Sequence, residues 1–387
     1  MNIALLSNPY EGNFVECARA ISNSFVWNTI ARDIYDNKLN LSSFPADFND
    51  STQLGMRPEV GPLRLAKRNG SLTTHGNEWY SAQLSVVAFL SGFTDSLDIR
   101  VNTNTPILIA GHSYVGEDIH LKGNSGVITV CKNGQLIDEL VLTQHTTSST
   151  FWKCSTATDY LINLGSLKAV PFVEPNWIKE WNYPGAIFYA REKDENGFIK
   201  KIEEGYAFLE QHFPEYYLWS IALVEEICSI PLHNSQSTRS LSFSFWPNQI
   251  HLTADDSLII LLDAIIHENS HLYFNLSWIV SPLCTPDAPM GYSPLKKRER
   301  PLNMLILAFH ALGNILLLYI NMMKSASLDV NQNELNEGIK YNANLVTKLA
   351  DEINKYRPYL TQTGLDLCQP LYDRLLQDEF GRKMCHQ

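Results

Sequence analysis

The sequence has no excess of basic residues. Lys and Arg number 30 against 41 Asp and Glu, so the formal net charge is -11 at pH 7. Binding to a polyphosphate backbone depends on clustered Lys and Arg that displace counterions. Nucleic acid is therefore not expected as a partner.

Paired cysteines are also lacking. The seven cysteines are scattered and odd in number, with no C-x-x-C spacing, which argues against both a disulfide framework and a thiolate metal site. The first residues, MNIALLSNPYEGNF, contain neither a basic segment nor a long apolar run, so they do not indicate a secretory signal. We expect reduced thiols and a cytoplasmic protein.

No apolar run has the length and continuity of a membrane span. The nearest, residues 304 to 323, is interrupted by His310, Gly313, Asn314 and Asn321. Polar side chains of this kind are costly in lipid, so the segment is expected to be a buried core helix and the membrane is not an expected partner.

Length and composition predict a globular α+β protein of two domains. The chain has 387 residues, of which 45% are hydrophobic, and this is enough for a sizeable core. Residues 1–195 are expected to form a mixed α+β region. It begins with helix-period segments and continues from Pro106 with short β-type runs. Because Asn133-Gly134 is a strong hairpin signal, a small antiparallel meander is predicted there.

Residues 196–387 are expected to form a mainly helical domain, with the boundary in the charged segment 191–198. A helix pair is predicted at 199–213 and 215–230, and a strand at 239–253. A long helix follows, preceded by Thr253 and Asp256 at capping-box spacing. Three more helices are predicted at about 302–324, 331–356 and 364–382.

The long helix contains His267-Glu268-Asn269-Ser270-His271, which matches the pattern H-E-x-x-H. Positions i and i+4 share a helix face, so the two imidazoles can meet one ion about 2.0 to 2.1 Å away. The flanking residues are apolar nearly all round, which predicts a buried, zincin-like metal helix. The alternative is a pair of core histidines hydrogen-bonded to their neighbours.

A third ligand has to come from elsewhere. The metzincin pattern requires Gly and His where this chain has Phe274 and Ser277. Asp287 and Glu299, the next acidic residues, do not lie inside a helix that faces the motif. His310 lies in the middle of an apolar helix and becomes the candidate, unless it is an ordinary core histidine.

The stretch GYSPLKKRERPLNMLILAFHAL, residues 291–312, follows the metal helix. Together with the motif it resembles the bacterial 2-oxoglutarate-dependent H-E-x-x-H peptide β-hydroxylase family, which modifies ribosomally made peptides. The resemblance covers roughly residues 199–325. It rests on this ordered set: His267, Glu268, His271, Tyr292-Ser293-Pro294, Arg300-Pro301 and His310. Leu295 and Lys296 depart from the Trp-Arg of the family pattern.

The resemblance implies hydroxylation of an unactivated side-chain Cβ in a precursor peptide, with Fe(II) and 2-oxoglutarate as cofactors. The three histidines would hold the iron. Arg300, with Lys296 as a second candidate, would bind the distal carboxylate of 2-oxoglutarate, since a guanidinium matches a carboxylate in a two-bond fork. Glu268 would orient a ligand or the peptide. Residues 1–195 would help to bind the precursor.

Two residues are candidate peptide contacts. His251 ends a strand just ahead of the metal helix, where an edge strand could pair with an extended substrate, although an ordinary strand histidine is the alternative. Tyr292 belongs to the family-like element.

Two other functions stay open. A zinc metallopeptidase would use Glu268 as general base on a zinc-bound water. A non-enzymatic protein with a structural metal would need a closed four-ligand site, and the sequence offers no evident fourth ligand. The sequence does not indicate which peptide is modified or the oligomeric state.

Overall fold

A computed structural model describes residues 2–37, 57–68, 76–92, 94–124, 126–144, 150–154, 161–173, 195–230, 240–244, 246–254, 257–325 and 328–377. The boundary predicted at 191–198 lies outside these residues up to residue 194. Asp256 and residues 378–382 of the last predicted helix lie outside them too.

Helices and small, mainly antiparallel sheets together make the chain a mixed α+β protein. The helices of the described residues are α1 Phe14–Asn37, α2 Gly61–Arg68, α3 Asn77–Leu90, α4 Glu195–His212, α5 Pro214–Ala222, α6 Leu258–Val280, α7 Leu302–Lys324, α8 Gln332–Lys355 and α9 Gln362–Gln377. Short 3-10 turns lie at Ile3–Leu6, Pro58–Val60 and Arg357–Tyr359. The helices predicted near 302, 331 and 364 are confirmed as α7, α8 and α9.

The predicted meander is confirmed as a five-stranded antiparallel sheet in the order β1-β2-β3-β4-β5. Its strands are β1 Ser96–Ile109, β2 His112–Asn124, β3 Val127–Lys132, β4 Gln135–Gln144 and β5 Thr150–Cys154. Asn133 and Gly134 form the two-residue loop between β3 and β4, with φ of 51° and 75°. Two positive φ angles in succession are typical of a type I′ hairpin, which matches the twist of the strands it joins.

The remaining described strands form three small sheets. They are β6 Leu161–Leu164, β7 Lys168–Pro171, β8 Glu226–Ser229, β9 Ser240–Phe243, β10 Trp246–Leu252, β11 Met290–Ser293 and β12 Arg298–Pro301. β6 pairs with β7 and β11 with β12, both antiparallel, and β8, β10 and β9 form a sheet in that order.

Two predictions in this region are wrong. The helix predicted over 215–230 ends at Ala222 and is followed by β8, because the Ile-Cys-Ser segment pairs in parallel with β10. β10 was expected at a sheet edge, yet it is the central strand between β8 and β9. Pairing partners distant in sequence decide both outcomes, and local periodicity does not contain them.

The chain divides into two compact units, and the division does not follow one boundary near residue 195. The first unit contains residues 1–21, 208–223 and 255–387, and the second contains residues 22–207 and 224–254. The first unit is helical apart from the β11–β12 hairpin, whereas the second holds β1 to β10.

Helix α7 is central to the first unit, where it packs against α6, α8 and α9. By length and composition it is the one helix of the described residues that could cross a membrane, and 78% of its apolar window is buried inside the protein. A core helix has the same properties.

Candidate metal centre

The H-E-x-x-H pentapeptide lies in the middle of helix α6, which also packs on α9 and on the 3-10 turn Ile3–Leu6. The cap of α6 is Ser257, whose Oγ accepts the N–H three residues on at 3.3 Å and donates to Glu334 Oε2 at 2.7 Å. The capping role predicted for Thr253 is therefore wrong. Ser257 is the last residue before the helix begins, and its side chain satisfies one of the four open N–H groups there.

The two histidines of the motif lie side by side, as the i, i+4 spacing requires. The ring centroids of His267 and His271 are 4.5 Å apart and the rings are inclined at 73°. Both residues are half-buried, and His271 Nδ1 is buried without a hydrogen-bond partner among the described residues. Burial, reinforced by His267 and His310 nearby, holds the pKa of His271 well below its ordinary value of 6.5. The His271 ring is thus neutral at neutral pH and keeps a lone pair for a ligand.

Glu268 lies between the two histidines in sequence. It is buried, and its side chain lies on a different face of α6. One residue along a helix is a rotation of about 100°, so its side chain leaves α6 beside the imidazole pair. The residue is 2% exposed, and its Oε2 is buried without a hydrogen-bond partner among the described residues. Burying a carboxylate oxygen without a hydrogen bond costs free energy of folding. The oxygen could recover that cost by binding a ligand, a water or a substrate.

His310 is fully buried in α7, and both of its ring nitrogens face carbonyl oxygens. Nδ1 lies 3.0 Å from the Ser270 carbonyl oxygen. Nε2 lies 2.9 Å from the Ser7 carbonyl oxygen and 3.2 Å from that of Leu6. Burial lowers the pKa of His310 to about 4, although the three carbonyls act in the opposite direction. A neutral ring has one N–H, so one of its nitrogens faces an oxygen with a lone pair.

The contact with Ser270 brings His310 to the same turn of α6 as the motif histidines, because positions i, i+3 and i+4 are neighbours on a helix. Even so, no three His, Cys, Asp or Glu side chains of the described residues form a group that could hold a metal ion. His267 and His271 are thus the two side chains of this region that could share an ion as the residues stand. His310 could join them only if its ring turns from the Ser270 carbonyl.

The residues predicted to bind 2-oxoglutarate lie on the β11–β12 hairpin, which packs on α7 and, through β11, on α8. Arg300 pairs with Gly291 in the hairpin, is half-buried, and makes no ion pair with a carboxylate of the described residues. Burial and the neighbouring Arg298 lower the pKa of Arg300 from its ordinary value. Lys296 is exposed in the turn between the strands.

The two predicted peptide contacts differ in accessibility. Tyr292 is 50% exposed, and its backbone N–H donates to Glu352 Oε1 at 3.0 Å. His251 is fully buried on the central strand β10, where its Nε2 lies 3.1 Å from Gln249 Oε1 and its ring meets the edge of Phe243. Only Tyr292 is open to an incoming peptide in this arrangement.

Sequence reasoning missed the amino-terminal segment as a neighbour of the site. The carbonyls of Leu6 and Ser7 contact His310 across more than 300 residues of sequence. Every residue has a backbone carbonyl, so a contact made by one cannot be predicted from a sequence motif. One available signal was Asn314 inside the apolar helix, since its Nδ2 donates to the Ser7 carbonyl at 3.1 Å.

Comparison with known proteins adds no relative. No family model matches the chain, and no curated protein matches it.

Proposed function

We propose that this protein is an Fe(II)- and 2-oxoglutarate-dependent dioxygenase of the cytoplasm that hydroxylates a side-chain Cβ in a ribosomally made precursor peptide. The observation that carries the proposal is the imidazole pair on α6, with ring centroids 4.5 Å apart and a buried, unpartnered nitrogen on His271 among the described residues. Such a pair, one helix turn apart, is the arrangement that H-E-x-x-H sites use to hold a metal.

His267 and His271 would hold the metal, and His310 would supply the third nitrogen after its ring turns from Ser270. Three imidazoles leave open positions, and bound Fe(II) would supply oxidative chemistry there. The proposal includes a zincin-like role for α6 as the helix that holds the metal. It is supported by the burial of the helix and by its Ser257 cap.

Arg300 is proposed as the anchor for the distal carboxylate of 2-oxoglutarate. Arg300 is half-buried as a residue, and its guanidinium has no carboxylate partner among the described residues, so it can form a two-bond pair with a carboxylate. Lys296 is exposed, and its ammonium acts as a point charge that guides the co-substrate rather than fixing it.

The peptide is proposed to contact the site at Tyr292, whose aromatic ring is 50% exposed. A direct contact at His251 would require the β8-β10-β9 sheet to open, because the residue is fully buried. The edge strand β1, Ser96–Ile109, belongs to the second unit. Gln83 already bonds the backbone groups of Leu108, so strand addition by the precursor is proposed for the part of β1 nearer Ser96.

A zinc peptidase is the second candidate, and one observation favours it. Glu268 Oε2 is buried and unpartnered among the described residues. That is a suitable starting state for a general base that takes a proton from a metal-bound water. In the oxygenase, Glu268 instead orients a ligand or the peptide.

The test is anaerobic addition of Fe(II) and then 2-oxoglutarate to the purified chain, with a scan for the visible charge-transfer band of the chelate. Arg300→Ala should weaken the band by raising the 2-oxoglutarate concentration it requires. Arg298→Ala is the matched control, because Arg298 is an exposed arginine on the same strand. Absence of a band, together with zinc-dependent peptide cleavage that Glu268→Gln abolishes, would establish the peptidase instead.

A further inference from the structure

Helices α8 and α9 leave a cleft between them in the first unit. Each of the two helices packs on α7, whereas little close contact joins their described residues to each other. The cleft is open on one side, and its free space up to the mouth is about 320 Å³. Concave spaces between helices are common places for small ligands to bind, so the chemistry of the lining indicates what could bind here.

The inner lining of the cleft is apolar. Phe309 of α7 contributes to it, together with Ala350 and Ile353 of α8 and Leu365 and Cys368 of α9. All of these side chains except Leu365 are buried. Burial raises the pKa of Cys368 to about 12, so its thiol stays protonated and behaves as a small apolar group. An alkyl chain placed against these side chains would leave water for an apolar surface.

The lining residues form two stripes, one on each helix. On α9 the lining recurs at Leu365, Cys368 and Tyr372, a spacing of three or four residues that keeps it on one helix face. Seven residues of helix extend this stripe over about 10 Å. Ala350 and Ile353 have the same spacing on α8. The space between the stripes is a narrow slot, and its shape suits a short unbranched chain better than a bulky ring system.

A guanidinium lies at the mouth of the slot. Arg357 is exposed in the turn between α8 and α9, and its Nη1 donates to Gln369 Oε1 at 2.8 Å. The Gln369 amide in turn donates to Asp373 Oδ1 at 2.8 Å, so an amide stands between the arginine and that carboxylate. Arg357 makes no ion pair with a carboxylate in the part of the chain that the structure describes. Its positive charge is therefore available to an anionic ligand.

We propose that the cleft between α8 and α9 binds an unbranched carboxylic acid of medium chain length, with the alkyl chain in the slot and the carboxylate paired with Arg357. The apolar lining matches the chain, and the guanidinium at the mouth matches the head group. The motif residues His267, Glu268 and His271 are not part of this lining. The inference therefore does not rest on the proposed function.

The first test is calorimetric titration of the full chain with butanoate, hexanoate and octanoate. The affinity should rise about fourfold with each methylene that enters the slot. Octan-1-ol has the same chain as octanoate without the charge and should bind about fivefold more weakly, since an ion pair at an exposed arginine contributes little more than that. Equal affinity for the three acids, or octan-1-ol binding as tightly as octanoate, would overturn the inference.

The second test locates the ligand with three variants. Arg357→Gln should lower the affinity for octanoate to that for octan-1-ol and leave octan-1-ol binding unchanged. Ala350→Met places a longer side chain in the slot and should abolish binding of both compounds. Lys348→Gln is the control, because Lys348 is exposed on α8 and does not line the cleft.

The melting temperature of each variant shows whether it folds, and if Ala350→Met does not, Arg357→Gln decides alone because its side chain is exposed. Octanoate bound equally by wild type and Arg357→Gln, bound by a folded Ala350→Met, or not bound by wild type at millimolar concentration would contradict the proposal.

Discussion

The stability of the protein should depend on pH through Glu226, a carboxyl group buried on β8. Glu226 is 6% exposed, and its Oε2 accepts from Gln249 Nε2 at 2.7 Å. Burial, with a smaller contribution from the buried carboxylate of Glu59, raises the pKa of Glu226 to about 8. The Gln249 bond and Arg57 act in the opposite direction, while Glu225 raises it further.

The direction of the pH dependence follows from the linkage between proton binding and folding. Since the folded protein holds the proton more tightly than the unfolded chain, the stabilisation is fully present below the ordinary pKa of 4.5 and is lost as pH rises through about 8. One proton corresponds to about 1.4 kcal/mol per pH unit. Across the whole window Glu226 therefore changes the free energy of unfolding by something on the order of 5 kcal/mol.

Glu226→Gln tests this reasoning, because glutamine keeps the size and hydrogen bonding of the side chain but does not ionise. Urea unfolding of wild type and variant at pH 5, 6, 7, 8 and 9 should show the variant gaining relative stability up to about pH 8 and levelling beyond it. Glu204→Gln is the control, since Glu204 is exposed on α4 and is not among the groups that shift Glu226. If the wild-type and Glu226→Gln stabilities run parallel across this range, Glu226 is not a buried protonated group.

Three further substitutions have expected outcomes. In Gly364→Ala the new Cβ would meet the backbone carbonyl of Leu283, which cannot move aside as a side chain can, so the melting temperature should fall by several degrees or more; an unchanged melting temperature would contradict the packing described. Ser257→Ala removes the cap of α6 and should cost about 1 kcal/mol of unfolding free energy, measured in urea, whereas equal stability would mean that the cap contributes nothing. Glu268→Gln should retain Zn(II) affinity in a competition titration, because the carboxylate lies off the imidazole face; loss of binding would place Glu268 among the ligands.

Sequence patterns predicted the elements whose signal is local. α7 and α8 follow from their apolar content or periodicity, and the β3–β4 turn follows from Asn133-Gly134, whose backbone conformation few other residue pairs adopt. The i, i+4 spacing of His267 and His271 likewise decided their proximity, since a helix leaves no other arrangement for those positions.

The features that depend on distant partners were not predictable in this way. The apolar pattern of β8 was read as the end of a helix. The strand forms because it pairs in parallel with β10, about twenty residues away in sequence, and the local pattern does not contain that partner. His310 was predicted as the third metal ligand, with a core histidine as the alternative, and its Nε2 contacts carbonyls of the amino-terminal segment that the sequence did not indicate. The first 21 residues belong to the same compact unit as α6 to α9. Contacts of Ser7 and Tyr10 with distant helices join them to it, and no sequence motif predicts those contacts.

The central claim is that His267 and His271 bind a metal, and the most direct measurement is the iron bound per chain after anaerobic loading and desalting. Wild type should hold about one Fe(II) per chain, because the two imidazoles would share one divalent ion. His267→Ala and His271→Ala should each lose the bound iron. His212→Ala, at an exposed histidine of α4, should bind as wild type does. Equal iron in wild type and in both motif variants would contradict the account.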